Sequence, residues 1–148
     1  MRRKQLDDQL FQPPTPAATM SRQHAMPLAT DQEEQWFQDG WDCFDSGRFW
    51  HAHEAWEDLW NALKRRSAPL HEVRLVQGLI QTAALLYHHE RKNTNGVLKQ
   101  WIKLEPKLSG WVTAWGIDVR THLEAISHYH GDVNKWLLVA GDAQLPKA

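Results

Sequence analysis

Residues 51–60, His-Ala-His-Glu-Ala-Trp-Glu-Asp-Leu-Trp, put two imidazoles, three carboxylates and two indoles into ten positions. Imidazoles and carboxylates at helical steps are the groups that hold divalent ions or move protons. Large aromatic residues at the same steps build a core. The stretch therefore reads as one helix that carries a polar site set into an apolar wall. On a wheel of about 100° per residue, Phe49, Ala52, Trp56, Leu59, Trp60 and Leu63 form the core face. His53 borders that face, Glu57 lies about 40° from His53, and Glu54 about 100° from it. Asp58 turns toward water, and His51 points well away.

A second polar stripe lies downstream. From Leu75 to Tyr87 the sequence is apolar on nearly every side, the mark of a central, buried helix. Gln77, Gln81 and His88 interrupt it within about 40° of one another. A buried polar group without a partner costs about 1–3 kcal/mol. The simplest partner is the polar edge of residues 53–57. The two stripes define one candidate cluster. His53, Glu54, Glu57 and His88 are its ligand-type groups. Gln77 and Gln81 are placed to orient them, and Trp50, Trp56 and Trp60 form its wall.

Three readings fit this cluster. It is a hydrogen-bonded network that fixes helix packing, a divalent-metal site for zinc, manganese or iron, or a metal-free acid–base pair in an apolar wall. No reaction and no catalytic residue is assigned. His53-Glu54-Ala55-Trp56-Glu57 opens like the zinc-protease H-E-x-x-H but ends in Glu. Glu54 and Glu57 have the spacing of the di-iron E-x-x-H without its His. Of the adjacent pair His88 and His89, only one faces a given site, and His88 shares the Gln stripe. His128 and His130 fall at a helix end, and Arg65, Arg66 and Arg74 read as a solvated edge.

The elements that position these groups read as all-α, a compact antiparallel bundle of five to six helices. Residues 1–30 have the Pro, Gln and Ala bias of a disordered tail, and residues 31–148 form a single helical domain. Thr30 or Asp31 caps the first helix, which Gly47 ends. Further helices are expected near residues 49–64, 70–91 and 94–108. A fifth starts at Asp118 and runs to about Tyr129, and a short last helix is expected within 132–140. No alternation of period two marks a strand.

Composition narrows the classes. A net charge of −1 gives no bulk case for nucleic acid. No apolar run approaches the roughly 20 residues of a membrane span. Arg2, Arg3 and Lys4 are followed by no apolar signal-peptide region. Cys43 is the single cysteine, which excludes an internal disulfide and points to a reducing, cytoplasmic setting. Nine tryptophans keep open a second class, a structural or interaction module that binds a partner or forms a homo-oligomer.

Gly47-Arg-Phe-Trp-His-Ala-His-Glu-Ala-Trp-Glu-Asp-Leu-Trp60, Val76-Gln-Gly-Leu-Ile-Gln-Thr-Ala-Ala84, and then Tyr87-His-His, Asn93 and Gly96 together resemble the bacterial family known as domain of unknown function 309. The resemblance spans about residues 33–108. It implies a small all-helical domain with hallmark positions at His53, Glu54, Glu57, Gln77 and Gln81. Gly78 also matches, and is expected to let helix two approach closely. Trp56 stands where the family often has a smaller aliphatic residue, which implies a tighter pocket. The resemblance implies no established activity.

Overall fold

The computed structural model describes residues 24–148. Five α-helices dominate them: α1 (Asp31–Asp45), α2 (Phe49–Arg65), α3 (Leu70–Glu90), α4 (Thr94–Leu108) and α5 (Val119–Gly131). The links among the first four helices are tight, so successive helices fold back on one another. α1 packs on α2, and α3 packs on both α2 and α4. The all-α expectation holds, with one small addition. β1 (Thr113–Ala114) and β2 (Ile117–Asp118) form a two-stranded antiparallel hairpin. Its turn residues Trp115 (φ 49°) and Gly116 (φ 86°) are both left-handed, as favoured two-residue hairpin turns require.

Local chemistry explains the helix boundaries. Thr30 Oγ1 accepts from the Glu33 N–H at 3.0 Å, which makes Thr30 the N-cap of α1. Asn93 Oδ1 does the same for Gly96 N–H in α4, and Asp118 Oδ1 for Thr121 N–H in α5, each at 3.0 Å. Gly47, at φ 77°, turns the chain from α1 into α2. Arg66, expected in a solvated edge, is exposed and also holds the N-terminal turn of α1. Its guanidinium donates to both carboxylate oxygens of Glu33, at 2.8 and 3.0 Å. That pairing draws the Glu33 pKa below its usual value.

The expected tail of residues 1–30 lies outside the described residues up to position 23. Residues 24–30 form no helix but are held to the body. The Met26 N–H donates to Glu72 Oε2, the Met26 carbonyl accepts from Trp115 Nε1, and the His24 carbonyl accepts from His71 Nε2. The short last helix expected within 132–140 does not form. Asn134 (φ 74°) and Trp136 (φ 53°) are left-handed there. The Asp132 carboxylate accepts from the N–H groups of Leu137 and Leu138, which stabilises a turn in place of a helix. A 3₁₀ turn follows at Ala140–Asp142.

Two glycines set the helix spacing. A Cβ at Gly40 would overlap the Trp56 indole, so only glycine lets that ring lie on the backbone of α1. Trp56 is fully buried there, and its Nε1 donates to the Phe37 carbonyl at 3.1 Å. A Cβ at Gly78 would stand 2.7 Å from Leu108 Cδ2. The close approach that Gly78 permits is therefore with α4, and not with α2 as expected. Among the described residues, no helix is long and apolar enough to cross a membrane.

Gly40→Ala should destabilise the protein by about 1–3 kcal/mol through overpacking against Trp56. Gly141→Ala is the control, because a Cβ there meets open space. Urea denaturation should show a lower midpoint for the first variant and none for the second. Equal midpoints would mean that the Gly40–Trp56 approach does not limit α1–α2 packing.

Candidate functional site

α2 and α4 flank α3 and leave a cleft of about 230 Å³ between them. His53, Glu57 and Trp60 line it from α2, at steps of four and three that place them in one row. Gln77, Ile80, Gln81 and Ala84 line it from α3, and Gln100 and Lys103 from α4.

Its polar groups are unevenly satisfied. Gln81 Oε1 accepts from Lys107 Nζ at 3.1 Å, and the same ammonium donates to the Lys103 carbonyl at 2.9 Å. Burial, with Arg74 and Lys103 nearby, pushes the Lys107 pKa down. The His53 ring stacks on Trp50, with centroids 4.8 Å apart and planes within 5°. Lys64 Nζ sits 3.3 Å from the centroid of the Trp60 ring. Two of the lining side chains each carry a buried atom without a hydrogen-bond partner: His53 Nδ1 and Trp60 Nε1.

The structure brings together His53, Glu57, Trp60, Gln77 and Gln81 from the sequence-derived set. Glu54 is exposed and lies outside the lining. His88 also lies outside it, packed on Gly96 and 3.2 Å from Asn93 Nδ2. It shares the angular stripe of Gln77 and Gln81 but not their height. Eleven residues along a helix separate Gln77 from His88 by about 16 Å. Trp50 is 49% exposed and flanks His53 from outside the lining. Trp56, expected to tighten the pocket, faces α1 instead. Among the described residues, no three His, Cys, Asp or Glu side chains converge to hold a metal ion.

Two buried histidines carry polar pairings that the sequence reading did not find. His89 Nε2 donates to Asp132 Oδ2 at 2.8 Å, and both side chains are buried. Burial raises the Asp132 pKa, but the N–H of Leu138, the His89 ring and the N–H of Leu137 together hold it below its usual value. His89 borders a separate cavity of about 350 Å³, lined in part by Trp136, Leu138 and Val139. His89 does carry a sequence signal, since it follows buried Leu85 and Leu86 at steps of four and three. Asp132 carries none. His122 is fully buried in α5, with Nε2 3.0 Å from Thr82 Oγ1. The Thr82 hydroxyl proton goes to the Leu79 carbonyl, so its oxygen accepts from the His122 Nε2–H. Burial holds this imidazole at a pKa of about 4.

Residues 37–100 match the sequence model of a family described as Domain of unknown function (DUF309). The matched segment contains every residue that lines the cleft except Lys103. No curated protein and no solved structure matches the chain.

The His122 pKa links stability to pH. Above pH 6.5 the ring is neutral in both the folded and unfolded states. Between 6.5 and about 4 only the unfolded chain takes up the proton, so stability falls as pH falls. The full effect is about 3 kcal/mol. His88 and His130, whose pKa values burial also lowers, add to the same slope. His122→Gln keeps an N–H donor and cannot titrate. Urea unfolding at pH 7.5 and pH 5 should show a smaller loss for this variant than for the wild type. An identical loss in both would mean that His122 is not held neutral.

Proposed function

We propose that this chain, a member of the domain of unknown function 309 family over residues 37–100, binds a small polar molecule in the cleft between α2, α3 and α4. The observation that carries this reading is the pair of unpartnered buried atoms, His53 Nδ1 and Trp60 Nε1. Each buried hydrogen bond left unmade costs about 1–3 kcal/mol, and native proteins retain few of them. The Trp60 indole N–H is donor-only, so a ligand with an acceptor completes it. Gln77, Gln81 and Gln100 offer donors and acceptors around the same space. The volume falls below the roughly 300–1,000 Å³ of sites for drug-sized ligands, which favours a smaller occupant.

A divalent ion such as zinc, manganese or iron is the second reading. It is favoured by His53 and Glu57 standing one turn apart in the same cleft, with His53 Nδ1 unpartnered. The nearby ammonium groups of Lys103 and Lys107 oppose a cation there. The rival role as an interaction module or homo-oligomer draws its support from outside the cleft, from exposed Leu137, Leu138 and Val139. The lone Cys43 supports a reducing, cytoplasmic setting.

Thermal-shift screening of tag-free protein against small polar metabolites should give a saturable rise in Tm. A ligand at about 100 times its Kd adds about 2.7 kcal/mol. The rise should vanish in His53→Ala and shrink in Trp60→Phe. A screen without hits, or hits that neither substitution affects, would overturn the reading. Stoichiometric metal in the tag-free protein, lost in His53→Ala, would promote the second reading over the first.

A further inference from the structure

The charges around the cleft narrow what it takes. Glu57 stands on the α2 wall and Lys103 on the α4 wall, with the Gln77 and Gln81 amides on α3 between them. Both charged side chains are exposed, and neither has an ion-pair partner among the described residues. The ion pairs among the described residues are Arg66–Glu33, His89–Asp132 and Arg91–Glu90. The Lys103 side is crowded with like charge. Lys107 is tied by hydrogen bonds to Gln81 and to the Lys103 carbonyl, and Arg74 acts on it from nearby. None of these three cations has a carboxylate partner among the described residues. Burial first, and then the like charges of Arg74 and Lys103, lower the Lys107 pKa, and a carboxylate bound nearby relieves the like-charge part. The donor-only Trp60 N–H, on the opposite wall, also calls for an acceptor.

A simple anion would satisfy the lysines and leave Glu57 facing it. A simple cation would satisfy Glu57 and face the lysines. A ligand with both charges a few bonds apart satisfies the two walls together. Resting on the cleft reading above, we propose that the site selects a small zwitterion of the α-amino acid type. Its ammonium is held by Glu57, and its carboxylate by Lys103 and the Trp60 N–H. The amides of Gln77, Gln81 and Gln100 then meet a polar side chain, and Ile80 and Ala84 meet its methylene groups. The contact is reversible binding, and no bond is made or broken.

Isothermal titration of the full, tag-free chain tests this with glycine, L-alanine and L-glutamine as probes. Propionate and ethylamine serve as half-ligands, and zinc chloride as the metal alone. At least one amino acid should bind with one-to-one stoichiometry, and both half-ligands about tenfold more weakly or worse. Glu57→Gln and Lys103→Gln should each weaken the amino acid about tenfold. Both side chains are exposed, so Tm should stay unchanged and show that the fold is intact. Amino acid binding that both variants leave untouched would overturn the proposal. Binding of propionate or ethylamine alone, lost in Trp60→Phe, would overturn the zwitterion assignment and leave the cleft reading standing. Zinc binding lost in Glu57→Gln but kept in Lys103→Gln would replace the zwitterion with the metal reading. No binding by any probe overturns the zwitterion proposal, and the cleft reading falls with it when the wider metabolite screen also gives no hits.

Discussion

A helix that is apolar on nearly every side must be covered on nearly every side. α3 is that helix, and the rest of the structure follows from covering it. Leu75, Val76, Leu79, Ala83, Leu85 and Leu86 are all buried. Two neighbours are needed to do this, and the tight links at each end of α3 supply α2 and α4. Gly78 brings α4 close enough for Leu108 to seat on the α3 backbone. On the other flank, Trp56 fills α2 against α1, where Gly40 leaves room for the indole. The covering helices leave a cleft over one part of α3, and there the apolar pattern of α3 is interrupted by Gln77 and Gln81. The cleft lies where the cover is incomplete, and the sequence is polar where the cover is missing.

Much of this was legible from spacing alone. The helix bodies follow from apolar steps of three and four. The caps at Thr30 and Asp118 follow from side-chain oxygens at helix starts. The core face of α2 was legible for the same reason, since Phe49, Ala52, Trp56, Leu59 and Leu63 are all buried. What spacing could not supply was height along a partner helix. A wheel fixes direction, so His88 aligned with Gln77 and Gln81 while lying about three turns beyond the first and about two beyond the second. Nor could it say which neighbour a small residue meets, and Gly78 faces α4. The segment after α5 was illegible for another reason. Its conformation depends on one carboxylate, Asp132, folding back on two N–H groups and on His89, 43 residues earlier. Long-range polar pairing leaves no period in the sequence.

The family match adds a boundary to this picture. It covers α2 and α3 entire, with parts of α1 and α4, and it stops between Gln100 and Lys103. The cleft floor and the α2 wall therefore lie within the matched segment, and the cationic side lies beyond it. Lys103 and Lys107 belong to the last turns of α4, where ammonium groups also complement the helix dipole. That dipole accounts for cations near this helix end. It does not account for an ammonium turned inward onto Gln81, where burial and like charge both act against it.

Three imidazoles among the described residues, those of His53, His89 and His122, separate structure from site when compared. His89 has a carboxylate partner that is itself tied down by two N–H groups, so the pair locks the chain after α5. His122 has a neutral partner in Thr82 and no charge nearby that lowers its pKa, so burial alone keeps it neutral. Both are complete within the fold. His53 is different. One face of its ring is covered by Trp50, its Nδ1 is buried, and nothing in the described chain meets that atom. Had the role of His53 been packing alone, the solutions found at His89 and His122 show how readily this fold supplies a partner. Trp60, seven residues on, repeats the omission on the same wall. Two unmet polar atoms, on side chains that stand in one row and line one cleft, make a stronger case for an occupant than either makes alone. Among the described residues the other buried side-chain polar atoms have partners, and the proposed occupant accounts for these two exceptions.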